Sequence, residues 1–300
     1  MPAFAVGLID RLAYLVAVAR EGNFRRAAEA CGVAQPTLSA GIKALEDELG
    51  VMLVRRSSRF HGLTPEGEKV LDWARRMVGD ARAMRQELHG MRQGLSGHLR
   101  VAVIPTALAM VPDLTNPLLR RHPALRFTIL SRSSAEVLQM LEGLEVDAGI
   151  TYVDGEALGR VRSVPLYVER YRFITTPDGA FGDRDAVTWA DLAHAPLCLL
   201  TPDMQNRRIM DRLMQGAGVT PRAQVETDTQ VVLLAHVLSG GWATVLAENL
   251  AATLALTPRL RSLPITGPEA THRVGLVLPD REPMPVLAAA LLAEARLLGA

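Results

Sequence analysis

Only two cysteines, Cys31 and Cys198, occur in the 300 residues. Neither has a partner at CxxC or metal-ligand spacing, which argues against a disulfide framework and a zinc site alike. Both lie in apolar contexts and are read as buried packing residues. Long apolar runs are missing too. None approaches the ~20 residues of a membrane-spanning helix, and the start Met1-Pro2-Ala3-Phe4 has neither the basic segment nor the apolar core of a signal peptide. A cytoplasmic protein with no membrane partner is expected. Catalytic signatures are also absent: there is no GxSxG, no Walker loop, no GxGxxG fingerprint and no HExxH, and the seven histidines are scattered. No catalytic residue, metal site or cofactor is therefore assigned, and an enzyme acting on a small metabolite has no support in these residues.

Charge of one sign is scarce as well, since the net charge is only +1, but an average conceals asymmetry between the ends of a chain. Through Arg100 there are 15 Lys and Arg against 11 Asp and Glu, leaving 18 against 21 for the remainder. The sign of that difference suits a head that meets a polyanion and a neutral to acidic body. Three hundred residues, 49% of them hydrophobic, are too many for one ordinary core and suit two or three domains.

In the head, Leu8, Leu12, Leu15, Val16 and Ala19 repeat at helical spacing until Gly22-Asn23 breaks the pattern. A short helix is expected from Phe24 to Cys31, ended by Gly32, and Val33-Ala34 leads directly into a third helix. So tight a turn joins two crossed helices. Along the third helix Leu38, Ile42, Leu45 and Leu49 line one side, while Gln35, Thr37, Ser39 and Lys43 occupy the other. One side packs and the other is free to read.

These residues carry a resemblance. Phe24-x-x-Ala27-Ala28 followed by Ala34-Gln35-Pro36-Thr37-Leu38-Ser39-x-x-Ile42-x-x-Leu45-Glu46-x-x-Leu49-Gly50 resembles the helix-turn-helix of LysR-type transcriptional regulators. The pattern continues through a wing, Leu53-Val54-Arg55-Arg56, Arg59 and Leu63-Thr64-Pro65-Glu66-Gly67. One departure is Val54, where the family usually has Phe, so looser wing packing is expected. The resemblance implies an N-terminal all-α winged helix-turn-helix (1–64), a long dimerising linker helix (65–94), and a C-terminal α/β, two-lobed, periplasmic-binding-protein-like effector domain (98–300). Lobe I would span about 98–165 and 266–300, and lobe II about 166–265. It also implies double-stranded promoter DNA, a small-molecule effector, a second copy of the chain and RNA polymerase as partners.

Side-chain chemistry assigns roles within that frame. Gln35, beside Pro36 at the start of the reading helix, can bond an adenine edge in two places, and Thr37 and Ser39 can reach phosphate or a thymine methyl. Lys43, Arg55, Arg56 and Arg59 suit phosphates or the minor groove. Taken singly, Gln35-Pro36 also reads as a plain helix start and the arginines as a solvated face; the family pattern assigns the set to DNA.

Thr64 suits an N-cap, Pro65 the first helical position, and Glu66 and Glu68 the positive end of the helix dipole. Val70, Ala74, Met77, Ala81, Met84, Leu88 and Met91 then alternate steps of four and three, the spacing of a narrow apolar seam that wants another helix. A homodimer is the favoured partner, because two reading helices are needed for half-sites about one DNA turn apart; packing of the stripe on the chain's own sensor stays open. Similar proteins pair this helix and assemble dimers of dimers. Gly94-Leu95-Ser96-Gly97 is read as the hinge.

Beyond it, strand-like runs at Leu99–Ile104, Leu125–Leu130, Asp147–Thr151, Tyr171–Thr175, Leu197–Thr201, Ala243–Leu246 and Val274–Leu278 alternate with amphipathic segments, an α/β pattern. The resemblance here rests on Val101 to Pro105, Leu138-x-x-Leu141 through Val146-Asp147-Ala148-Gly149-Ile150, Pro165-Leu166-Tyr167-x-Glu169-x-Tyr171, and Val237-x-x-Gly240-Gly241. It departs at Ala247, where a Pro often follows the strand. A ligand cleft is expected at the carboxyl ends of strands, where hydroxyls and helix N-terminal amides can hold an anion. Thr106, Ser131, Ser134, Thr151, Thr201, Gln205, Asn206, Arg207, Thr227 and Thr229 stand at those ends and are the candidate effector contacts, though Ser and Thr before a helix are also ordinary caps. Arg207 can pair with a ligand carboxylate, which makes a small anionic effector the expectation; its rival role is a salt bridge to Asp211 one turn on. Some members of the family switch through cysteines. Here Cys31 falls in the head and Cys198 in a strand, so no disulfide is expected between them within one chain, a bridge needing Cα atoms within about 7 Å.

Overall fold

The computed structural model describes residues 3–56, 60–93, 95–154, 157–220, 222–254, 259–269 and 272–299. It divides into two compact units, Met1–Gly94 and Leu95–Ala300.

The first unit begins with α1 (Ala3–Glu21), α2 (Phe24–Cys31) and α3 (Gln35–Leu49). The Asn23 side chain accepts the amides of Arg25 and Arg26 at 2.8 and 3.2 Å and so starts α2. Gly32 ends it with φ 68°, a left-handed conformation that an L side chain resists. Pro36 occupies the first turn of α3, where its missing N–H costs nothing. Leu38, Ile42 and Leu45 are fully buried against Leu15, Val18, Ala27 and Leu53, and burying each large side chain contributes about 1.5–3 kcal/mol. Leu49, expected on the same side, is 44% exposed. Its place facing inward is taken by Glu46, whose carboxylate accepts the amides of Leu53 and Val54 at 2.9 and 3.1 Å.

That clamp seats the wing, β1 (Val54–Arg56) against β2 (Phe60–Leu63). Val54 is buried beside Leu53, so the looseness expected from the smaller side chain is not found. The linker helix α4 spans Pro65–Gln93. Thr64 Oγ1 accepts the Gly67 amide at 2.9 Å and donates to the Met52 carbonyl at 2.6 Å. A methyl group on Gly67 would drive into the Leu53 carbonyl, so the Thr-Pro-Glu-Gly run is a capped helix start docked against the chain that precedes the wing.

In the second unit, β3 (Gly97–Val103), a 3-10 turn (Pro105–Met110), α5 (Val111–Arg121), β4 (Leu125–Ser131), α6 (Ser134–Glu142), β5 (Ala148–Tyr152) and β6 (Val161–Val168) build the first lobe. The chain crosses at Glu169-Arg170 into β7 (Tyr171–Thr175), β8 (Val187–Thr188), β9 (Leu197–Leu200), α7 (Gln205–Gly216), β10 (Ala223–Thr227), α8 (Gln230–Ser239), β11 (Thr244–Ala247), α9 (Glu248–Leu254) and β12 (Arg261–Thr266). It returns through β13 (Arg273–Pro279) and ends in α10 (Val286–Leu298). The first sheet runs β4-β3-β5-β13-β6, and the second lobe carries β11-β7-β12-β8 and the parallel pair β10-β9. The two crossings are tied together where the Glu169 amide donates to the His272 carbonyl at 2.8 Å.

Each expected strand is present within a residue or two. Asp147 explains one of them: its carboxylate accepts the Arg100 amide at 2.7 Å and its own amide donates to the Arg100 carbonyl at 2.8 Å, aligning β5 with β3. Four strands went unread. β6 and β12 contain Pro165 and Pro264, which break the strand signature and are tolerated where one side of the strand is unpaired. β8 has two residues, and β10 alternates without a large apolar residue except Val225. The first lobe crossing accordingly falls at Glu169-Arg170 and the second between the end of β12 at Thr266 and the start of β13 at Arg273, a few residues beyond the expected boundaries.

Candidate DNA-reading face and effector pocket

On α3 the buried leucines fix the rotation of the helix, so Gln35, Pro36, Thr37 and Lys43 are exposed and Ser39 is half-buried at the edge. The first turn has no side-chain cap, and its free amides with the helix dipole form a site that favours an anion such as a phosphate. Among the described residues Lys43 has no acidic partner, whereas Arg11 is held by Glu48 at 2.9 Å and Arg25 by Glu29 at 3.1 Å. Arg55 is exposed on β1. The side chain of Arg56 and the whole of Arg59 lie outside the described residues.

The linker seam needs a correction. Ala74 is 0% exposed and packs with Leu71 in the head's own core, with Val70 and Val78 beside them. Neither Val70 nor Ala74 is therefore presented to a second helix; α1 has taken that side of α4. The surface stripe keeps Met77, Met84 and Leu88 of the expected seam and begins at Trp73, 62% exposed, in place of Ala74; Ala81 is half-buried at its border. The Arg76 guanidinium lies 4.6 Å from the centre of the Trp73 ring. Sequence reasoning missed Trp73 although it stands four residues before Met77, because the heptad was anchored on Ala74. The Met91 side chain is not among those described.

In the second unit, Thr106, Ser134, Gln205 and Asn206 converge on a cavity of about 10 Å³ between the two lobes, the room of a single water. Ser133, Tyr152 and Met204, not singled out from the sequence, complete its wall. Thr106 Oγ1, Ser134 Oγ and Asn206 Oδ1 are buried with no hydrogen-bond partner among the described residues, a condition that costs about 1–3 kcal/mol per group unless something fills the site. The N-terminus of α6 is already satisfied by the Ser133–Glu136 capping box, while that of α7 has no side-chain cap. The open amides are thus those of α7. Every side chain around the cavity is uncharged.

The remaining expected contacts do not line the cavity. Ser131 is exposed at the end of β4, Thr151 is buried inside β5, the Thr201 amide bonds the Thr227 carbonyl at 3.0 Å, Thr227 Oγ1 accepts the Thr229 amide at 3.2 Å, and Thr229 is exposed at the start of α8. Arg207 takes its rival role. Its guanidinium donates to Asp211 at 2.7 Å, Glu226 at 2.8 Å and the Leu200 carbonyl at 2.6 Å, so it is already neutralised by two carboxylates and clamps α7 to β9 and β10. A ligand carboxylate would have to displace them.

The cysteines belong to different units and neither lines the cavity. Cys198 is fully buried with Sγ 3.4 Å from the Ala243 carbonyl, and burial pushes its thiol up to about 11. Cys31 is half-buried rather than buried, and desolvation raises its thiol as well.

A helix-turn-helix with a wing in one unit, and in the other a polar cavity closed between two lobes, are the parts of a DNA-binding regulator with an effector-binding domain. Two family models match the chain, the bacterial regulatory helix-turn-helix protein of the lysR family over residues 9–68 and the LysR substrate binding domain over residues 92–298. The protein belongs to the LysR family of transcriptional regulators. The DNA-binding transcriptional dual regulator OxyR of Escherichia coli (strain K12) is 30% identical over 282 residues, 92% of this chain and 90% of that protein. A hydrogen peroxide-inducible genes activator of Pectobacterium carotovorum subsp. carotovorum is 33% identical over 193 residues, 64% of each chain. Among solved structures, a full-length OxyR variant from Pseudomonas aeruginosa matches with a TM-score of 0.76 at 26% identity, covering 96% of this chain and 94% of its own. Full-length CbnR complexed with its target DNA shares the fold, with a TM-score of 0.67 at 22% identity over 97% and 99% of the two chains. Among the described residues no helix is long and apolar enough to cross a membrane.

Proposed function

We propose that this protein is a transcription regulator that binds promoter DNA as a homodimer, or a dimer of dimers, and is switched by a small oxygen-bearing metabolite held between the lobes of its second unit. The observation that carries the reading is the exposure of Gln35 and Thr37 on a helix whose other side is sealed by Leu38, Ile42 and Leu45. Gln35, Thr37 and Ser39 read bases, Pro36 sets the helix start, and Lys43, Arg55, Arg56 and Arg59 hold phosphates. Trp73, Met77, Met84 and Leu88 form the seam between copies, with Ala81 at its border. Work on DNA sets the protein in the cytoplasm, and an altered DNA path changes the access of RNA polymerase.

We assign the capacity to bind an anion to the α7 amides and the hydroxyls of Thr106 and Ser134, not to Arg207. Relatives named for hydrogen peroxide raise the alternative of thiol chemistry. Against it stand a Cys198 thiol that burial keeps protonated and a Cys31 in the other unit. A metabolite larger than the one water the closed cavity has room for enters only as the lobes part, so effector occupancy changes lobe closure, and the oligomer repacks on DNA.

Footprinting of the purified full-length protein on DNA upstream of its own gene tests the reading. Two protected half-sites about one helical turn apart are expected, and a doubly substituted Cys31→Ser, Cys198→Ser protein should respond as wild type does. No affinity for any duplex at low salt would refute the DNA role; a response lost in the double variant would refute the ligand reading in favour of a thiol switch.

A further inference from the structure

Behind the cavity wall lies an acid that none of the roles above uses. Glu169 sits on the first crossing between lobes and is 1% exposed. Its Oε1 accepts both the Tyr152 phenol of β5 and the Tyr171 phenol of β7, the latter at 2.9 Å. Its Oε2 is buried with no hydrogen-bond partner closed among the described residues. Tyr152 and Thr106 are also walls of the cavity, and the Thr106 hydroxyl is within reach of the Glu169 carboxyl without closing a hydrogen bond to it.

That division of donors is the one a neutral carboxylic acid needs. A carbonyl oxygen has two lone pairs and here takes two phenols, whereas a hydroxyl oxygen carries a proton to give away. A carboxylate would instead be a charge taken out of water among three phenols, with the partly exposed His272 ring, itself engaged by Asp154, as its nearest basic group among the described residues, which is costly. The groups facing Glu169 are Tyr152, Tyr171 and Tyr167 from β5, β7 and β6, with His272 on the return crossing. The His272 ring is engaged by Asp154 at 3.3 Å. Burial raises all three phenols above their ordinary value, and burial likewise raises the Glu169 carboxyl.

We propose that Glu169 is carried as a neutral acid that donates its proton to Thr106 Oγ1, which turns the Thr106 hydroxyl proton into the cavity and makes the pocket select a ligand with an acceptor oxygen, carboxylate or carbonyl, at that point. Loss of the proton reverses the relay: Thr106 then donates to Glu169 and offers the cavity only a lone pair. Glu169 is thus a positioning residue that sets the hydrogen-bonding sense of the pocket and links ligand affinity to pH. This deepens the effector reading above and rests on it.

Glu169→Gln imitates the protonated acid, since its amide oxygen can accept both phenols while its NH₂ donates to Thr106. Infrared spectra of the full-length protein at pH 7 should contain a protonated-carboxyl band that E169Q lacks. With acetate as probe in titration calorimetry, wild-type affinity should fall about fivefold to tenfold across the pH range in which that infrared band disappears, the worth of one hydrogen bond, while E169Q binds equally throughout it. Thr106→Val should keep the infrared band and lose the pH dependence. A band that is missing at pH 7 or unchanged in E169Q overturns the neutral acid. A band that disappears as pH rises while wild-type acetate affinity stays flat overturns the relay through Thr106. An intact band with no acetate binding in any protein overturns the effector pocket itself, and with it the ligand-facing half of this inference.

Discussion

Replacing Glu46 with alanine strikes the contact that joins the reading helix to the wing. Two backbone amides, Leu53 and Val54, donate to a single oxygen of that carboxylate at 2.9 and 3.1 Å, and the acid is buried. A hydrogen bond to a charged group contributes about 1.5–3 kcal/mol, and its loss leaves a buried donor unsatisfied. Because both amides share one acceptor, the two losses are coupled and fall short of additive; a total of about 3–4 kcal/mol is expected for Glu46→Ala. Glu46→Gln retains an oxygen in the same place and forfeits only the assistance of the charge, roughly half the strength of each bond, so about 1–2 kcal/mol is expected. Amide hydrogen exchange across residues 51–56 reads this directly. Protection of Leu53 and Val54 should drop roughly 10²-fold to 10³-fold in the alanine variant and about tenfold in the glutamine variant, at about 1.4 kcal/mol per decade. DNA affinity should fall in the same order, since Arg55 rides on the strand that is released. Equal damage from both substitutions, or protection unchanged in the alanine variant, would refute the clamp.

Gln35→Ala should weaken operator binding by about 1–3 kcal/mol and relax base preference at one position, whereas Lys43→Ala should weaken all sequences alike and lower the salt slope by about one, both read in gel shifts at several salt concentrations. Trp73→Asp with Met84→Asp should convert the dimer to monomer in sedimentation with the head still folded; Ala74→Asp should instead unfold the head, because Ala74 is sealed in its core. Arg207→Met leaves Asp211 and Glu226 without their partner and should cost about 2–3 kcal/mol in denaturant titration, less than the roughly 3–5 kcal/mol of a fully buried pair since both carboxylates are partly solvated, while acetate affinity stays at the wild-type level. Glu169 has a folded value raised above the ~4.3 of a free glutamate. Its contribution is fully present below that ordinary value and is lost as pH rises through the folded one, so the thermal midpoint of wild type should decline on the alkaline side more than that of E169Q.

The reading helix was legible from residues alone because its signals are local. Pro36 at the start, Gly50 at the end and three leucine-type residues at helical steps specify both the helix and its rotation. The failures are equally instructive. Leu49 follows the same spacing as Leu45, yet it is exposed, because a helix pattern does not reveal that the chain turns back at Gly50 and brings Leu53 and Val54 to Glu46. The start of the linker seam was misplaced for a related reason: Ala74 fits a heptad, but α1 occupies that side of the helix and Trp73 stands at the surface instead. Arg207 offered two roles, a ligand contact or a bridge one turn along its own helix, and the choice depended on Glu226, nineteen positions away and invisible to any local pattern.

Local sequence thus determined the helices of the head, seven of the strands beyond it and the order of the two units, since capping, helical period and turn chemistry act over a few residues. Which hydroxyls share a cavity, which arginine is already neutralised and where an acid loses its water were decided only when β5, β7, the turn after β3 and the start of α7 came together. Burial and pairing are properties of distant segments packed against one another, and no window along the chain contains both sides of such a contact.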